Sequence, residues 1–220
     1  MTTRRSTGLG LLATAVGLAA GTEFAAASTF GPIALPAPRA DFGTSLAQAL
    51  KLRRSIREFD PRPLPAQVVS ELLWCAYGVN RPATADRTAP SWRHARETEI
   101  FAAMAGGTWR YDPIGHRLLP HLPADIRAQT GVQDFIGSAP LDLVYVSDAA
   151  HLSGVGRAEQ HRVAAADTGF IGQNVYLYCA SEGLATVFRG SLDQEPLART
   201  LKLANTQFVS FAQTVGYPKA

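Results

Sequence analysis

Two stretches of the chain carry their apolar residues at helical spacing. Val69, Leu72, Leu73 and Ala76 fall on one helical face, and Gly78 follows as a stop, which predicts a helix that ends at the glycine. Upstream, a threonine and a serine at positions 44–45 precede three apolar residues that share a face, and either hydroxyl could cap a short helix.

The segment from Arg162 to Gly183 is the strongest helical signal, because it is long, largely apolar and interrupted only by Gly169 and Gly172. A helix that is apolar on every side must be buried on every side. Glycines three positions apart also let another part of the molecule approach closely. The pattern therefore predicts a helix at the centre of the molecule or of a subunit interface.

Strands are predicted where β-branched, aromatic and other apolar residues form short runs between turn residues. A hairpin that turns at residues 112–115 lies between two of these runs. The predicted strands are Thr98–Met104, Leu141–Val146, Thr186–Arg189 and Phe208–Val215.

Residues 1–27 have the features of an export signal. Arg4 and Arg5 precede a mildly apolar run of 13 residues, and small residues at Ala25 and Ala27 stand before Ser28. The paired arginines are typical of a twin-arginine signal. A spanning helix needs roughly 20 apolar residues, so we expect export to the periplasm without a stable membrane anchor; a signal retained as an N-terminal anchor is the alternative.

Residues 28–41 are expected to form an extended, proline-rich leader, and residues 42–220 to form one folded domain. Apolar residues make up 46% of the chain and charged residues 18%, which predicts a compact body. The formal net charge of +3 is too small for a general nucleic-acid footprint. A few local arginines agree better with one small anionic ligand than with a nucleic acid.

Four residues of the stretch RRSIR are the first candidates for chemistry. Guanidinium groups bind phosphate through a fixed fork of donors, and a serine hydroxyl adds a short hydrogen bond. Arg53, Arg54, Ser55 and Arg57 are therefore candidates for a phosphate site. Arginines at an exposed helix end, where they offset the helix dipole, are the structural alternative.

The cysteines and histidines do not indicate a metal centre. Cys75 and Cys179 lie in apolar helical surroundings and are expected to be buried free thiols. The five histidines are dispersed along the chain.

Together with RRSIREF, the stretches RTAPSWRH, GFIGQNVYL and GLATVFRGSLD and the closing GYP resemble, in this order, the FMN-dependent nitroreductase family over about residues 42–218. LLWCAYGVNRP and WRYDPIGHRL are most similar to its SagB-type, azoline oxidase-like branch. The resemblance implies an α+β fold with a mostly antiparallel central sheet flanked by helices. It also implies a homodimer with two flavins at the subunit interface.

The resemblance carries the family's FMN contacts onto three segments. By this resemblance, the RRSIR residues hold the FMN phosphate and ribityl chain. Residues 90–92 match the loop that reaches the flavin from the partner subunit, and residues 187–190 match the turn along the flavin ring. His94 and Arg96 stand where the family often has Asn and Gln, so they either bind the pyrimidine edge or point away. The predicted FMN-binding residues are Arg53, Arg54, Ser55, Arg57, Pro90, Ser91, Trp92, His94, Val187, Phe188, Arg189 and Gly190.

The function implied is an oxidoreductase that passes two electrons through FMN, as hydride, to a small acceptor by a ping-pong cycle. A nitroaromatic, a quinone or an azoline ring would serve as the acceptor, and it would stack between side chains such as Trp92 and Arg189. Backbone N–H groups can stabilise the reduced flavin, so no catalytic side chain is predicted. The alternatives are a dimer that stores or senses FMN without turnover, and a protein that keeps the fold but has lost the flavin.

Overall fold

The computed structural model describes residues 30–219, so the predicted export signal lies outside the described residues. Strands and helices alternate irregularly along the chain, with short 3-10 turns at Trp92–His94, Arg127–Gln129 and Ala149–His151. The strands are β1 (Ile33–Ala34), β2 (Phe59–Asp60), β3 (Val79–Arg81), β4 (Asp86–Arg87), β5 (Thr98–Met104), β6 (Gly107–Asp112), β7 (Arg117–Leu122), β8 (Leu141–Asp148), β9 (Ala185–Arg189) and β10 (Gln207–Pro218). The helices are α1 (Leu46–Leu52), α2 (Ala66–Tyr77), α3 (Arg157–Ser181) and α4 (Gln194–Thr200).

An eight-stranded antiparallel sheet organises the molecule. The strand order is β1-β7-β6-β5-β8-β10-β2, and β9 pairs with β10 as well. β3 and β4 form a separate two-stranded ribbon. The α+β class and the mostly antiparallel central sheet are therefore confirmed.

The helix predicted from residues 69–76 is α2. Its four apolar positions are all buried, and Gly78 ends the helix by donating its N–H to the carbonyl of Trp74 at 2.8 Å. At α1 the predicted cap is Ser45, whose Oγ accepts from the N–H of Gln48 at 3.3 Å. The apolar face of α1 is only partly covered, since Leu46 and Leu50 are 65% and 53% exposed.

The long predicted helix is α3, but the expectation that it is buried on every side is wrong for the single chain. Ala166, Phe170 and Gln173 lie on an exposed stripe, and the side chain of Phe170 is 49% exposed. The opposite face packs against the sheet. A Cβ built on Gly172 would lie 2.5 Å from a ring atom of Phe188, so only glycine lets α3 approach β9 this closely.

The described part of the predicted leader, residues 30–41, is tied to the sheet edge. β1 pairs with β7, and Trp109 donates its indole N–H to the carbonyl of Gly31 at 3.0 Å. Arg39 then binds the buried carboxylate of Glu71 through two hydrogen bonds, of 2.6 and 2.8 Å. Burial and these bonds act in opposite directions on Glu71, with the net result that its pKa is lowered to about 2.

The remaining strand predictions agree with β5, the β6–β7 hairpin, β8, β9 and β10. Cys75 and Cys179 are free thiols, Cys179 fully buried and Cys75 partly so. Within residues 30–219, no helix combines the length and the apolar character that a membrane span requires.

Candidate functional site

The predicted phosphate residues lie in an exposed segment between α1 and β2. Arg53 is the C-cap of α1, and Ile56 donates its N–H to the carbonyl of Thr186 at 3.0 Å, which ties the segment to β9. Arg54 and Arg57 are exposed and form no ion pair with any carboxylate of residues 30–219. Their positive charge is thus uncompensated at this surface.

Tyr176 joins this segment to the predicted flavin-ring turn at residues 187–190. Its hydroxyl lies 2.8 Å from the Oγ of Ser55 and accepts the N–H of Phe188 at 2.9 Å. The guanidinium carbon of Arg53 lies 5.2 Å from the centre of the Tyr176 ring. Sequence reasoning missed Tyr176, although a single polar phenol in the stretch GFIGQNVYL was a signal that something outside α3 must meet its hydroxyl.

The structure corrects the role given to Arg189. Its guanidinium is buried and bonds to Asp142 at 2.9 Å and to the carbonyl of Thr130 at 2.8 Å. Successive side chains of a strand point to opposite faces, so Arg189 lies on the face opposite Phe188, which packs against α3. The prediction that the Arg189 side chain stacks on a substrate is therefore wrong.

Strand geometry also sorts the backbone donors of residues 187–190. The carbonyl of Thr186 and the N–H of Phe188 both point away from β10, the first toward Ile56 of the RRSIR segment and the second toward the Tyr176 hydroxyl of α3. In an antiparallel strand, alternate residues direct their backbone groups to the same side. The N–H groups of Val187 and Arg189 are therefore directed toward β10. Gly190 lies just beyond the end of β9.

The predicted partner loop is held by α3. Trp92 donates its N–H to Asp167 at 2.7 Å, and Arg96 donates its N–H to the Oγ of Ser91 at 3.1 Å. Arg93, His94 and Arg96 adopt φ values of 47°, 59° and 51°, which are uncommon for residues other than glycine. Strained backbone of this kind is concentrated at functional loops.

The loop and the RRSIR segment do not meet within one chain. Asp167 holds the loop and Tyr176 holds the phosphate segment, and nine residues of α3 separate them. At 1.5 Å per residue this is about 13 Å along the helix axis. One chain alone does not bring the predicted FMN residues into one cluster.

His94 and Arg96 point toward Asp86. The Arg96 guanidinium donates to Asp86 at 3.0 Å and to the carbonyl of Thr84 at 3.0 Å. The His94 Nδ1 lies 3.7 Å from Asp86, and its side chain is largely exposed. Hydrogen bonds from Thr84 and Arg96 lower the pKa of Asp86 to about 2, so this carboxyl is ionised at neutral pH.

A pair of carboxyl groups lies behind the loop. Glu97 is buried, with one oxygen accepting from the Thr98 hydroxyl at 3.1 Å and the other without a partner in the described chain. Burial, with the charge of Asp167 nearby, raises the pKa of Glu97 to about 7. Burial also raises the pKa of Asp167, although the hydrogen bond that it accepts from the N–H of Trp92 acts to lower it.

We expect the Glu97→Gln variant to lose part of the pH dependence of folding. The pKa of Glu97 rises from 4.5 to about 7 on folding, so its contribution to stability is complete below the lower value and is lost as pH rises through the upper one. The wild-type free energy of unfolding should therefore fall between about pH 4.5 and pH 7, and the neutral glutamine should flatten this fall. Urea unfolding at several pH values measures it.

Glu58→Gln, a change at an exposed carboxylate, is the control and should keep the wild-type profile. Parallel profiles for the wild type and Glu97→Gln would show that Glu97 does not titrate in this range.

Comparison with known proteins places these residues in a family context. A model of the nitroreductase family matches residues 50–217. A protein of Ralstonia eutropha JMP134, whose crystal structure is named as that of a nitroreductase, is 41% identical; the match covers 86% of this chain and 90% of that one, with a TM-score of 0.82. A protein of Methanocaldococcus jannaschii named as a nitroreductase is 28% identical over 168 residues, which cover 72% of this chain and 84% of the relative.

A more distant structure shares the fold. The NADPH:FMN oxidoreductase of Vibrio harveyi, in complex with NAD+, is 20% identical, with a TM-score of 0.60 over 80% of this chain and 69% of that one. At this identity the likeness is one of fold alone.

Proposed function

The chain belongs to the nitroreductase family, whose members are flavin-dependent oxidoreductases, and on this premise we propose that it binds FMN and reduces or oxidises a small organic molecule. Bound FMN would supply the redox chemistry, taking up two electrons from one substrate and releasing them to the next in a ping-pong cycle. The protein would supply binding, orientation and backbone donors.

The observation that carries the proposal is the Tyr176 bridge. A single hydroxyl connects Ser55, in the uncompensated arginine segment, with the backbone of Phe188, two residues before Gly190. A phosphate monoester needs several forked donors and little nearby negative charge, and Arg54 and Arg57 meet both requirements. The residues present therefore fit the phosphate of FMN.

We assign three roles to residues of this chain. Arg53, Arg54 and Arg57 would hold the phosphate together with the Ser55 hydroxyl. Tyr176 is a positioning residue, because it fixes Ser55 relative to β9 without charge of its own. The N–H of Gly190 would face the ring and favour its reduced form by donating a hydrogen bond, a role that needs no titrating side chain.

A homodimer is part of the proposal. Two observations support it. Residues 90–92 and the RRSIR segment are bonded to positions nine residues apart on α3, and α1 and α3 expose Leu46, Leu50 and Phe170. In a dimer, the partner's loop could complete the site, while the exposed apolar side chains would be covered.

The acceptor proposed is a nitroaromatic, a quinone or an azoline-type ring. Similarity of the stretches around Trp74 and Trp109 to the SagB-type branch supports the azoline ring, while the relatives named as nitroreductases support the nitroaromatic. Trp92 remains a candidate to stack on the substrate, since its ring is only partly buried.

A test of the function starts from the purified protein. We expect a yellow protein with flavin absorption that dithionite bleaches and that a nitrofuran, a quinone or an azoline peptide reoxidises faster than buffer alone. A protein that is reduced but is reoxidised by none of these acceptors would instead be a dimer that stores or senses FMN. A colourless protein that takes up no added FMN would overturn the proposal.

Tyr176→Phe should raise the Kd for FMN about three- to tenfold, which corresponds to about one hydrogen bond of 0.5–1.5 kcal/mol, because the phenol positions Ser55 through its two hydrogen bonds and does not itself bind the phosphate. Fluorescence titration of the flavin-free protein measures this. Tyr217→Phe is the matched control, since the Tyr217 hydroxyl makes no hydrogen bond to residues 30–219 and its ring packs under Arg62. Equal Kd values for Tyr176→Phe and wild type would remove Tyr176 from the site.

Export through residues 1–27 remains a proposal that rests on the paired arginines and the small residues before Ser28. Mature protein recovered from the periplasm with Ser28 at its N-terminus would support it. Protein that stays in the cytoplasm would contradict it.

A further inference from the structure

A second pocket, of about 210 Å³, lies between the end of α2, β4 and the β5–β6 hairpin. None of the twelve residues predicted to bind FMN lines it. Its wall includes three guanidinium groups, from Arg87, Arg96 and Arg110, and the rings of Tyr77 and Tyr111. The pocket thus lies outside the twelve predicted FMN residues, although Arg96, a candidate for the pyrimidine edge of the flavin, is part of its wall.

Arg87 is the central feature of this pocket. Its Nε and Nη1 atoms are buried, and neither has a hydrogen-bond partner in residues 30–219. The guanidinium carbon lies 5.6 Å from the centre of the Tyr77 ring, and the buried Tyr77 hydroxyl is also without a partner there. Buried donors left unpaired are costly, and an acceptor in the pocket would satisfy them.

The other cations of the pocket already have partners. Arg110 forms an ion pair with Glu99, and Arg96 one with Asp86 at 3.0 Å. Burial lowers the pKa of Arg87, as expected for a cation without a carboxylate beside it. Arg87 is therefore the guanidinium of this pocket with no ion pair to a described residue.

The charges on the wall limit the charge of the ligand. Glu99 and Asp112 also line the pocket, so three guanidinium groups face two carboxylates. Asp112 is neutralised from outside by Arg117 at 2.9 Å. With Glu99 paired to Arg110 and Arg96 paired to Asp86 as well, one uncompensated positive charge remains on Arg87, and a ligand with one negative charge balances it.

The size and polarity of the pocket further restrict the chemical class of its ligand. Ile100, Pro113 and Ile114 form an apolar part of the wall. The volume is below the roughly 300–1,000 Å³ of pockets that hold drug-sized ligands. A forked guanidinium donor matches the two oxygens of a carboxylate. We propose that this pocket binds a small monocarboxylate, with its two oxygens on Arg87 and Tyr77 and its apolar end on the isoleucines.

The test is a calorimetric titration of the purified protein with butyrate, an aliphatic monocarboxylate that cannot stack on an aromatic ring, and with inorganic phosphate. Butyrate should bind with a Kd below about 1 mM. Arg87→Ala should weaken binding at least tenfold. Arg199→Ala, a change at an exposed arginine far from the wall, should leave it unchanged.

Two further variants keep the result interpretable. Tyr77→Phe removes one donor with little change in packing and should weaken butyrate binding about threefold, even if Arg87→Ala proves unstable. The Arg53→Ala/Arg57→Ala double variant should bind butyrate as the wild type does, which separates this pocket from the flavin site. Flavin content is measured for each variant, because Arg96 of the pocket also holds Ser91.

Three results would overturn the proposal. They are the absence of saturable butyrate binding, undiminished binding by both Arg87→Ala and Tyr77→Phe, and tighter binding of phosphate than of butyrate at a site that depends on Arg87.

Discussion

Replacing Arg53 and Arg57 together by alanine is expected to lower the affinity for FMN at least tenfold. Each charge-assisted hydrogen bond to a phosphate contributes roughly 1.5–3 kcal/mol, and 1.4 kcal/mol corresponds to a factor of ten. Arg57 is exposed and Arg53 half-buried, and neither is part of an ion pair in residues 30–219, so the fold should tolerate the change. Flavin content after purification and the Kd of the flavin-free protein are the measurements.

The control is Arg62→Ala combined with Arg199→Ala, which removes the same charge from exposed positions outside the proposed site. Its FMN affinity should stay within about twofold of the wild type, because exposed charges at a distance are screened by salt. Full flavin content in the Arg53→Ala/Arg57→Ala protein would show that the phosphate is held elsewhere.

Asp142→Ala is expected to destabilise the protein by about 3–5 kcal/mol, because it leaves the buried guanidinium of Arg189 without its counter-charge. Asp142 is fully buried and also accepts the Thr214 hydroxyl at 2.5 Å, so the network loses more than one bond. Burial raises the pKa of Asp142 to about 6, against the attraction of Arg189. The free energy of unfolding from urea titration measures the effect.

Glu195→Ala is the comparison, since Glu195 is 91% exposed and lies 3.9 Å from Arg199. An exposed pair of this kind contributes roughly 0–1 kcal/mol. A loss below about 1 kcal/mol for Asp142→Ala would mean that Arg189 is solvated or rearranges. It would reopen the possibility that the Arg189 side chain faces a ligand.

The buried pair gives Arg189 a structural role in the proposed site. Its guanidinium joins Asp142 on β8 to the carbonyl of Thr130, and it fixes the end of β9 from the face opposite α3. Gly190, the proposed donor to the flavin ring, follows directly. Arg189 therefore positions a backbone group instead of contacting a substrate.

Periodicity identified most of the elements because each of them buries one face or both. In α2, the residues at helical spacing are the ones that pack against the core. In β8, seven of eight residues are buried, and the apolar run at residues 143–146 is typical of a strand covered on both sides. The helix α3 was found for the same reason, although the pattern overstated its burial.

Only part of the candidate site could be predicted from the sequence. The arginine segment was visible in the sequence because four chemically informative residues fall within five positions. The bridge from Ser55 to Phe188 joins residues 133 positions apart through Tyr176 on a third element, and no local pattern records such a meeting. The second pocket was missed for the same reason, since Tyr77, Arg87 and Arg110 lie on separate elements.

The sequence by itself determined the main elements and the candidate phosphate segment, because helical and strand periods and clustered charges are local properties of the chain. The fold class followed from the resemblance of its motifs to the nitroreductase family. Only the tertiary structure decided which way Arg189 faces, which hydroxyl connects the arginines to β9, and which guanidinium is left without an acid. These outcomes depend on how distant segments pack against each other, and the free energy of burying a charge depends on every neighbour that the fold supplies.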